Sequence, residues 1–262
     1  MRWLAPLLAL LSAAEAGGQN LAERVRGVGT GTVRMAYAAR EGVCGDGRDI
    51  WFDDGSHISF SGHQQGLSHD RGKWGRVRCD SALVRVALSV REGSVSRARV
   101  FVGGTWQGEA DLDLGRVSSA RAARTLVGFL DEIVDDADQA IVAAVIADSA
   151  DVWRELLRFA RDDSRLRQSR RSAIFWLAHA AGDSAAAGLR DIVESDDERD
   201  IRNAAVFGLS QLPRNTGVPL LIDVARTHRD PQIRRTAFFW LGQSGDRRAI
   251  DLIEATLLGP RR

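Results

Sequence analysis

Three copies of one eight-residue segment decide the fold: RRSAIFWL at residues 170–177, RNAAVFGL at 202–209 and RRTAFFWL at 234–241. Each copy begins 32 residues after the preceding one, without a gap. Arginine, alanine, phenylalanine and leucine recur at the same offsets in all three. A fixed period in this range is typical of repeat proteins, in which each unit buries its apolar face against its neighbours.

Each repeat unit divides into two helices. In the last unit Asp230 and Pro231 start the first helix, because proline is tolerated in a first turn, and Gly242 and Gly245 surround its end. The second helix of this unit spans 248–257. The same pattern predicts helices at 199–212 and 216–227 in the middle copy, and at 140–146 and 152–160 in a fainter copy. We therefore expect an array of about three and a half units, above the threshold of about three for stability.

These copies resemble the HEAT repeat, in particular its short bacterial, phycobilisome-lyase-like form. The pattern D-P-x-V-R-x-x-A-x-x-x-L-G followed by G-D-x-x-A is met at residues 230–242 and 245–249, and the resemblance covers about residues 138–258. It implies an α-α superhelix, ARM-like in architecture, that usually binds proteins, and it implies little about chemistry. The middle copy departs from the pattern, since Arg199 and Asp200 replace Asp-Pro.

The N-terminus predicts export. Arg2 supplies a positive charge, residues 4–11 form a short apolar run, and Ala14-Glu15-Ala16 fits the cleavage rule for a signal peptide at residues 1–16. The run is shorter than the roughly 20 residues that a membrane-spanning helix needs. We expect a periplasmic or secreted protein with no integral membrane segment after signal cleavage.

Residues 17–116 predict a small β domain. Apolar and polar residues alternate at 32–37, 83–90 and 95–102, with a turn at 92–94 and weaker strands near 50–52 and 58–60. This pattern favours an antiparallel unit of four to six strands. In an exported chain the two cysteines, Cys44 and Cys79, predict a disulfide that staples the unit.

Residues 117–262 then predict a capping helix followed by three to four HEAT-like repeats. Ser118 and Ser119 offer an N-cap, and apolar residues with helical spacing run from Ala122 to Ile133. The fold class expected overall is α+β, with a disulfide-stapled antiparallel β unit followed by a HEAT-type solenoid.

Two sets of aromatic residues are candidates for binding a partner. Phe175, Phe207 and Phe239 recur at one offset and either line a groove that anchors a protein or fill the core; the helical stripe favours the core for Trp176 and Trp240. The second set lies among glycines in the β unit and could stack on a glycan or peptide: Trp51, Trp74 and Trp106.

Signals for chemistry are weaker. His57, His63 and His69 could ligate zinc, but spacing of six residues in open loops does not imply a tetrahedral site. His179 and His228 occupy different repeat offsets without a shared carboxylate, so we expect surface helix ends rather than a catalytic pair.

Charge excludes one class of partner as a default. Thirty-six basic and 35 acidic residues give a formal charge of +1, which supplies no net field toward nucleic acid or an anionic membrane. The recurring arginines Arg170, Arg202 and Arg234 predict surface pairs with aspartates of adjacent turns. The function expected is an exported, non-enzymatic scaffold without cofactor or metal that binds a protein partner; the alternatives are a glycan- or peptide-binding module on the β unit and, third, a metal-dependent or lyase-like enzyme.

Overall fold

The computed structural model of this chain describes residues 20–52, 57–59, 67–68, 83–106, 108–133, 137–181 and 183–258. After one short helix, two β-sheets occupy the first part of the chain, and a stack of helices follows them. This order confirms the α+β prediction at the level of a β region followed by helices. The predicted division into a signal peptide and two domains stays a prediction.

The β region contains eight described strands in two sheets of four. The first sheet has the order β7-β6-β1-β8 and the second the order β2-β3-β4-β5. The strands are β1 (Gly31–Ala38), β2 (Val43–Gly45), β3 (Asp49–Phe52), β4 (His57–Ser59), β5 (Leu67–Ser68), β6 (Leu83–Arg91), β7 (Ser94–Val102) and β8 (Leu112–Arg116).

The prediction of four to six antiparallel strands was wrong in number and in one pairing. Strand β8 runs parallel to β1, with Val33 opposite Leu112. Because β7 and β8 lie at opposite edges and point the same way, the chain must cross the sheet between them, and the Trp106 ring lies over Arg34 and Arg85 on its outer face. Trp106 lies on this crossover. The alternation of apolar and polar residues along the strands does not predict such a connection.

A tight turn joins β6 to β7, as predicted. Glu92 and Gly93 both have positive φ angles, 52° and 77°. Two central residues of this kind form the turn whose twist matches that of the flanking strands.

The two sheets meet at a pair of glycines. A Cβ atom built on Gly103 would overlap the carbonyl oxygen of Gly45, and Gly103 has a φ of 66°. Nearby, the Gly47 amide donates to the Val102 carbonyl over 2.8 Å. Only residues without a side chain allow this close approach of β2 to β7.

Ten α-helices occur in the described residues; the first precedes the β region and the other nine follow it. Their bounds are α1 (Leu21–Arg26), α2 (Ser119–Gly128), α3 (Ala137–Val145), α4 (Trp153–Arg161), α5 (Arg167–Ala181), α6 (Asp183–Ser195), α7 (Arg199–Ser210), α8 (Val218–Thr227), α9 (Pro231–Gln243) and α10 (Arg247–Leu258). The helices predicted for the repeats are present with bounds shifted by only a few residues.

The sheet and the helices share one core. Buried side chains of β1, β6 and β7 join those of α2 and α3 in a single apolar cluster that continues through the helix pairs. The buried Tyr37 hydroxyl donates to the Ala143 carbonyl over 2.8 Å, which ties β1 to α3. Burial raises the pKa of this phenol well above its ordinary value.

The β7 edge of the sheet is closed by two polar side chains from the helical part. The Glu132 carboxylate accepts from the Val95 amide over 2.8 Å, and Gln139 Oε1 accepts from the Val100 amide over 3.1 Å. These bonds satisfy donors that an exposed edge strand would leave open to another chain.

The N-terminal part of the helical region differs from the prediction in detail. The capping helix α2 ends at Gly128 rather than near Ile133, because the chain turns at 129–133 to bury Phe129 and Leu130. Ser118 occupies the N-cap position but makes no side-chain cap bond, and the Ser119 hydroxyl donates to Ala38 on β1 instead. The short helix α1 precedes β1, where only strands were predicted.

The helix pairs stack as the repeat period requires. The first helices of successive pairs, α5, α7 and α9, contact one another in order. Leu177, Leu209 and Leu241, which are one period apart, are all buried in the shared cluster. Equivalent residues therefore occupy equivalent environments.

Candidate docking surface

The recurring phenylalanines lie at the rim of the stack rather than in its core. Phe175 and Phe207 are half-buried, while Phe239 is 56% exposed. Each follows the buried alanine of its helix by two positions, which rotates it by about 200° around the helix axis. The sequence did not decide whether the three phenylalanines fill the core or line a groove. In the structure, at least Phe239 is in contact with solvent.

Six aromatic side chains form a continuous line, the aromatic row, across the stack. Neighbouring ring centroids lie 4.7 to 6.1 Å apart, and the central pair, Phe175 and Phe207, is stacked at 14°. The order along the row is Phe52, Trp176, Phe175, Phe207, Trp240 and Phe239. The row thus begins on β3 and ends on α9.

The two recurring tryptophans differ in burial. Trp176 is buried between Phe52 and Phe175, so the core prediction matches its position. Trp240 is only half-buried, because α9 has no further helix pair on its far side among the residues described here. Trp240 nevertheless packs against the apolar core, so the core prediction holds for it in part.

The surface beside the aromatic row is basic. Arg171 precedes Phe175 by four residues and Arg235 precedes Phe239 by four, so each arginine shares a helix face with its phenylalanine. Both arginines are exposed, and the sequences of α5 and α9 contain no aspartate or glutamate. Arg235 donates to Gln232 Oε1 over 2.9 Å, and no ion pair joins it to a residue of the described ranges.

Arginines of a second set join successive helix pairs. Arg170 and Arg202 each bind a carboxylate 28 residues further on: Arg170 Nη1 to Glu198 over 2.9 Å, and Arg202 Nη2 to Asp230 over 3.3 Å. Glu198 and Asp230 sit at the N-cap positions of α7 and α9. Arg234 Nη1 donates to the His228 carbonyl over 2.7 Å.

The surface character predicted for these arginines was wrong for Arg170. Its side chain is 1% exposed, and its Nε donates to the Ala160 carbonyl over 2.8 Å while Nη2 pairs with Asp196. A helix terminus and two carboxylates converge on this guanidinium, and their packing excludes water. We call Arg170, Arg202 and Arg234 the arginine ladder; its first member, Arg170, joins α4 to the segment before α7 from a buried position.

Neither histidine of the repeats is a free surface group. His228 is buried: its Nδ1 accepts from the Asp230 amide over 3.0 Å, and Nε2 contacts the Val193 carbonyl at 3.1 Å. His179 is half-buried, with its ring 4.4 Å from that of Phe175. Both histidines lie at helix ends, as predicted, but the predicted surface position was wrong for His228, whose ring bonds to backbone groups of Asp230 and Val193.

The candidate tryptophans of the β unit are separated. Trp51 is half-buried on β3 opposite Cys44, and Trp106 is half-buried over the outer face of the first sheet. Trp74 lies outside the described residues. The guanidinium carbons of Arg34 and Arg85 lie 5.3 and 5.1 Å from the Trp106 ring centroid.

Most of the residues predicted to bind a metal or to form the disulfide lie outside the residues that the structure describes. His63, His69, Cys79 and the side chain of His57 are not among the described groups, and the part of the chain that is described holds no cluster suited to a metal ion. Cys44 is buried on β2, and no free cysteine occurs in the described ranges. The disulfide stays a prediction.

A shallow pocket of about 420 Å³ lies along α4. Its lining combines two apolar side chains with charged ones and includes none of the aromatic row: Trp153, Arg154, Leu157, Arg158, Arg161 and Asp162. Arg154 covers the Trp153 ring at 4.4 Å. In the ranges that the structure covers, no helix combines the length and the apolar character needed to cross a bilayer.

Sequence reasoning missed Phe52 and the two exposed arginines of the surface. Phe52 lies about 120 residues before Trp176, and only the packing of β3 against α5 brings the rings together. Arg171 and Arg235 could have been found, because they recur one position after the ladder arginines.

Helix pairs that bury one leucine per copy and join through one arginine per copy define an α-helical repeat protein, a class that presents extended surfaces.

The particular type of repeat is given by comparison with known families. Residues 186–261 match the family model described as HEAT repeats, which confirms the predicted resemblance of this part of the chain to HEAT repeats. The match begins inside α6, and the earlier helix pairs precede the matched segment. Comparison with curated proteins finds none that matches this chain.

Proposed function

We propose that the protein is an exported, non-enzymatic scaffold whose HEAT-repeat solenoid holds a protein partner along the aromatic row. The observation that carries this proposal is the row itself, which crosses α5, α7 and α9 and ends at the exposed Phe239. Aromatic anchors at the centre of an interface contribute much of its binding energy.

The chemistry of this surface favours an acidic partner segment. Arg171 and Arg235 flank the aromatic row, and their helices carry no acidic residue. A peptide with an aromatic or large aliphatic anchor between carboxylates would complement both features, because charge complementarity sets specificity and the rate of association.

The proposal that the protein is not an enzyme is supported by the structural roles of the repeated residues. The leucines, alanines and arginines that recur in the copies are engaged in packing and in bonds at helix ends. Export rests on the N-terminal pattern at residues 1–16 and on the cysteine pair, both properties of the sequence.

Selection from a random peptide library tests the proposal directly. The full chain is used, since removal of the β unit would uncover α2 and α3. We expect enrichment of acidic peptides with an apolar anchor, and affinity that falls as salt increases. Arg235→Gln should weaken binding, whereas Arg91→Gln, an exposed arginine on β6, should not. Selected peptides without acidic residues, or equal binding by both variants, would refute this assignment.

One observation favours the glycan- or peptide-binding alternative. Trp106 is half-buried beside two arginines on the outer face of the first sheet, so the β unit has a polar and aromatic surface of its own.

A further inference from the structure

The outer face of the first sheet groups three arginines on adjacent strands. Arg34 on β1 and Arg99 on β7 both lie opposite Ala87 of β6, and Arg85 is the next residue of β6 on the same face. Diagonal neighbours on one face of a sheet are roughly 7 to 8 Å apart. The long side chains of Arg85 and Arg99 can therefore reach one small group.

Arg85 is the buried cation of this group. The residue is 4% exposed, its Nη2 donates to the Gly103 carbonyl, and its Nε is sealed from solvent without a hydrogen-bond partner. No carboxylate of the described chain lies within ion-pair distance of it. Burial lowers the pKa of this guanidinium, as expected where the charged form is poorly solvated.

The other two arginines differ in their partners. Arg34 Nε donates to Asp113 over 2.8 Å, so its charge is compensated. Arg99 is exposed, and no ion pair joins it to any residue that the structure describes. The β6–β7 side of this face therefore carries two arginines that form no ion pair with any described residue.

Glycine backbone and aromatic rings surround Arg85. A Cβ atom on Gly47 or Gly104 would lie only 3.3 or 3.0 Å from Nη2 of Arg85, and both glycines have positive φ angles. Trp106 and Phe101 supply ring faces at 5.1 and 5.9 Å. A buried charge is costly unless it is paired, and the chain itself supplies no pair here in the described residues.

We propose that this face is a binding site for a carboxylate or phosphate group, held by Arg85 and Arg99 beside Trp106. A planar guanidinium binds either oxyanion through paired N–H donors. The half-exposed indole would contact the remainder of the ligand.

Thermal unfolding of the full chain at fixed ionic strength tests this site. Replacing part of the chloride by about 10 mM inorganic phosphate, or in a second arm by acetate, should raise the unfolding midpoint by about 3 °C in at least one arm. The arm that responds identifies the group. Arg85→Met should abolish the rise, and Arg91→Met, at the exposed end of the same strand, should keep it.

If the Arg85→Met protein does not fold, the surface variant Arg99→Met is used in its place. This variant should reduce the anion-induced rise of the unfolding midpoint by at least half. The site is refuted if neither anion raises the midpoint of the wild-type protein. It is also refuted if the responding anion raises the midpoint equally in the folded arginine variant and in the wild type.

Discussion

Arg202 on α7 binds the carboxylate of Asp230, the residue that caps α9, with 3.3 Å between Nη2 and Oδ2. Asp230 in turn accepts from the Gln232 amide over 2.9 Å. One period earlier Arg170 makes the same link to Glu198. The bond that orients one helix pair thus also fixes the start of the next, so the spacing of the repeats is set by polar contacts as well as by the core.

Replacing Arg170 should be costly because its charge balances two carboxylates in a closed site. Arg170→Met would leave Asp196 without its cation, Glu198 with Arg167 as its only cation among the described residues, and the Ala160 carbonyl without its side-chain donor. We expect a loss of about 3 kcal/mol in the free energy of unfolding, measured by urea denaturation. Arg171→Met, one residue on and exposed, should change it by no more than about 0.5 kcal/mol. Equal effects of the two substitutions would contradict the buried ladder.

Acid should destabilise the fold through aspartates at loop and helix starts. Hydrogen bonds from the Ser164 and Arg165 side chains lower the pKa of Asp162 from 3.8 to about 2, and a bond from the Arg248 side chain lowers that of Asp246 to about 2. The unfolded chain therefore takes up these protons first as the pH falls. Their contribution is complete above about pH 4 and is lost as the pH falls through about 2.

Urea unfolding midpoints measured from pH 5 to pH 2 test this predicted loss of stability in acid. The midpoint should decline most steeply between pH 4 and pH 2, and the double variant Asp162→Asn, Asp246→Asn should decline less steeply in that window. A midpoint that rose on acidification, or a double variant with the wild-type slope, would be inconsistent with these pKa directions.

Two glycines of the helix stack should respond in opposite ways to alanine. A Cβ atom on the buried Gly217 would overlap the carbonyl oxygen of Leu209, whereas a Cβ on Gly242, inside α9, would meet nothing within 4 Å. We expect Gly217→Ala to destabilise by about 1 to 3 kcal/mol. Gly242→Ala should stabilise by about 0.5 to 1 kcal/mol, because alanine is the better helix former. Circular dichroism during thermal unfolding separates the two signs.

The repeats could be predicted from the sequence because each copy repeats the same solution to the same packing problem. Leu209 is buried for the reason that Leu177 and Leu241 are, so the periodic pattern predicts both the helices and their stacking. The cap at Asp230 was readable for a similar reason, since it depends on neighbouring residues alone.

The rest depends on contacts between distant segments. The parallel pairing of β8 with β1 follows from a crossover that has no periodic signal, and Phe52 joins the aromatic row only through tertiary packing. The burial of Arg170 and His228 was missed because polar residues are usually exposed. Their buried state depends on carbonyl and carboxylate partners that come from the neighbouring helix pair.

The most direct test of the docking surface uses the Phe239→Ala protein. Its affinity for a library-selected peptide and its free energy of unfolding are both measured. Phe239 is more than half exposed at the end of the aromatic row, so its removal should change the free energy of unfolding by less than about 1 kcal/mol. Calorimetric titration should show affinity reduced about tenfold or more, while Leu257→Ala, an exposed apolar residue on α10, should bind as the wild type does. Wild-type affinity in a stable Phe239→Ala protein would contradict the assignment of the aromatic row as the binding surface.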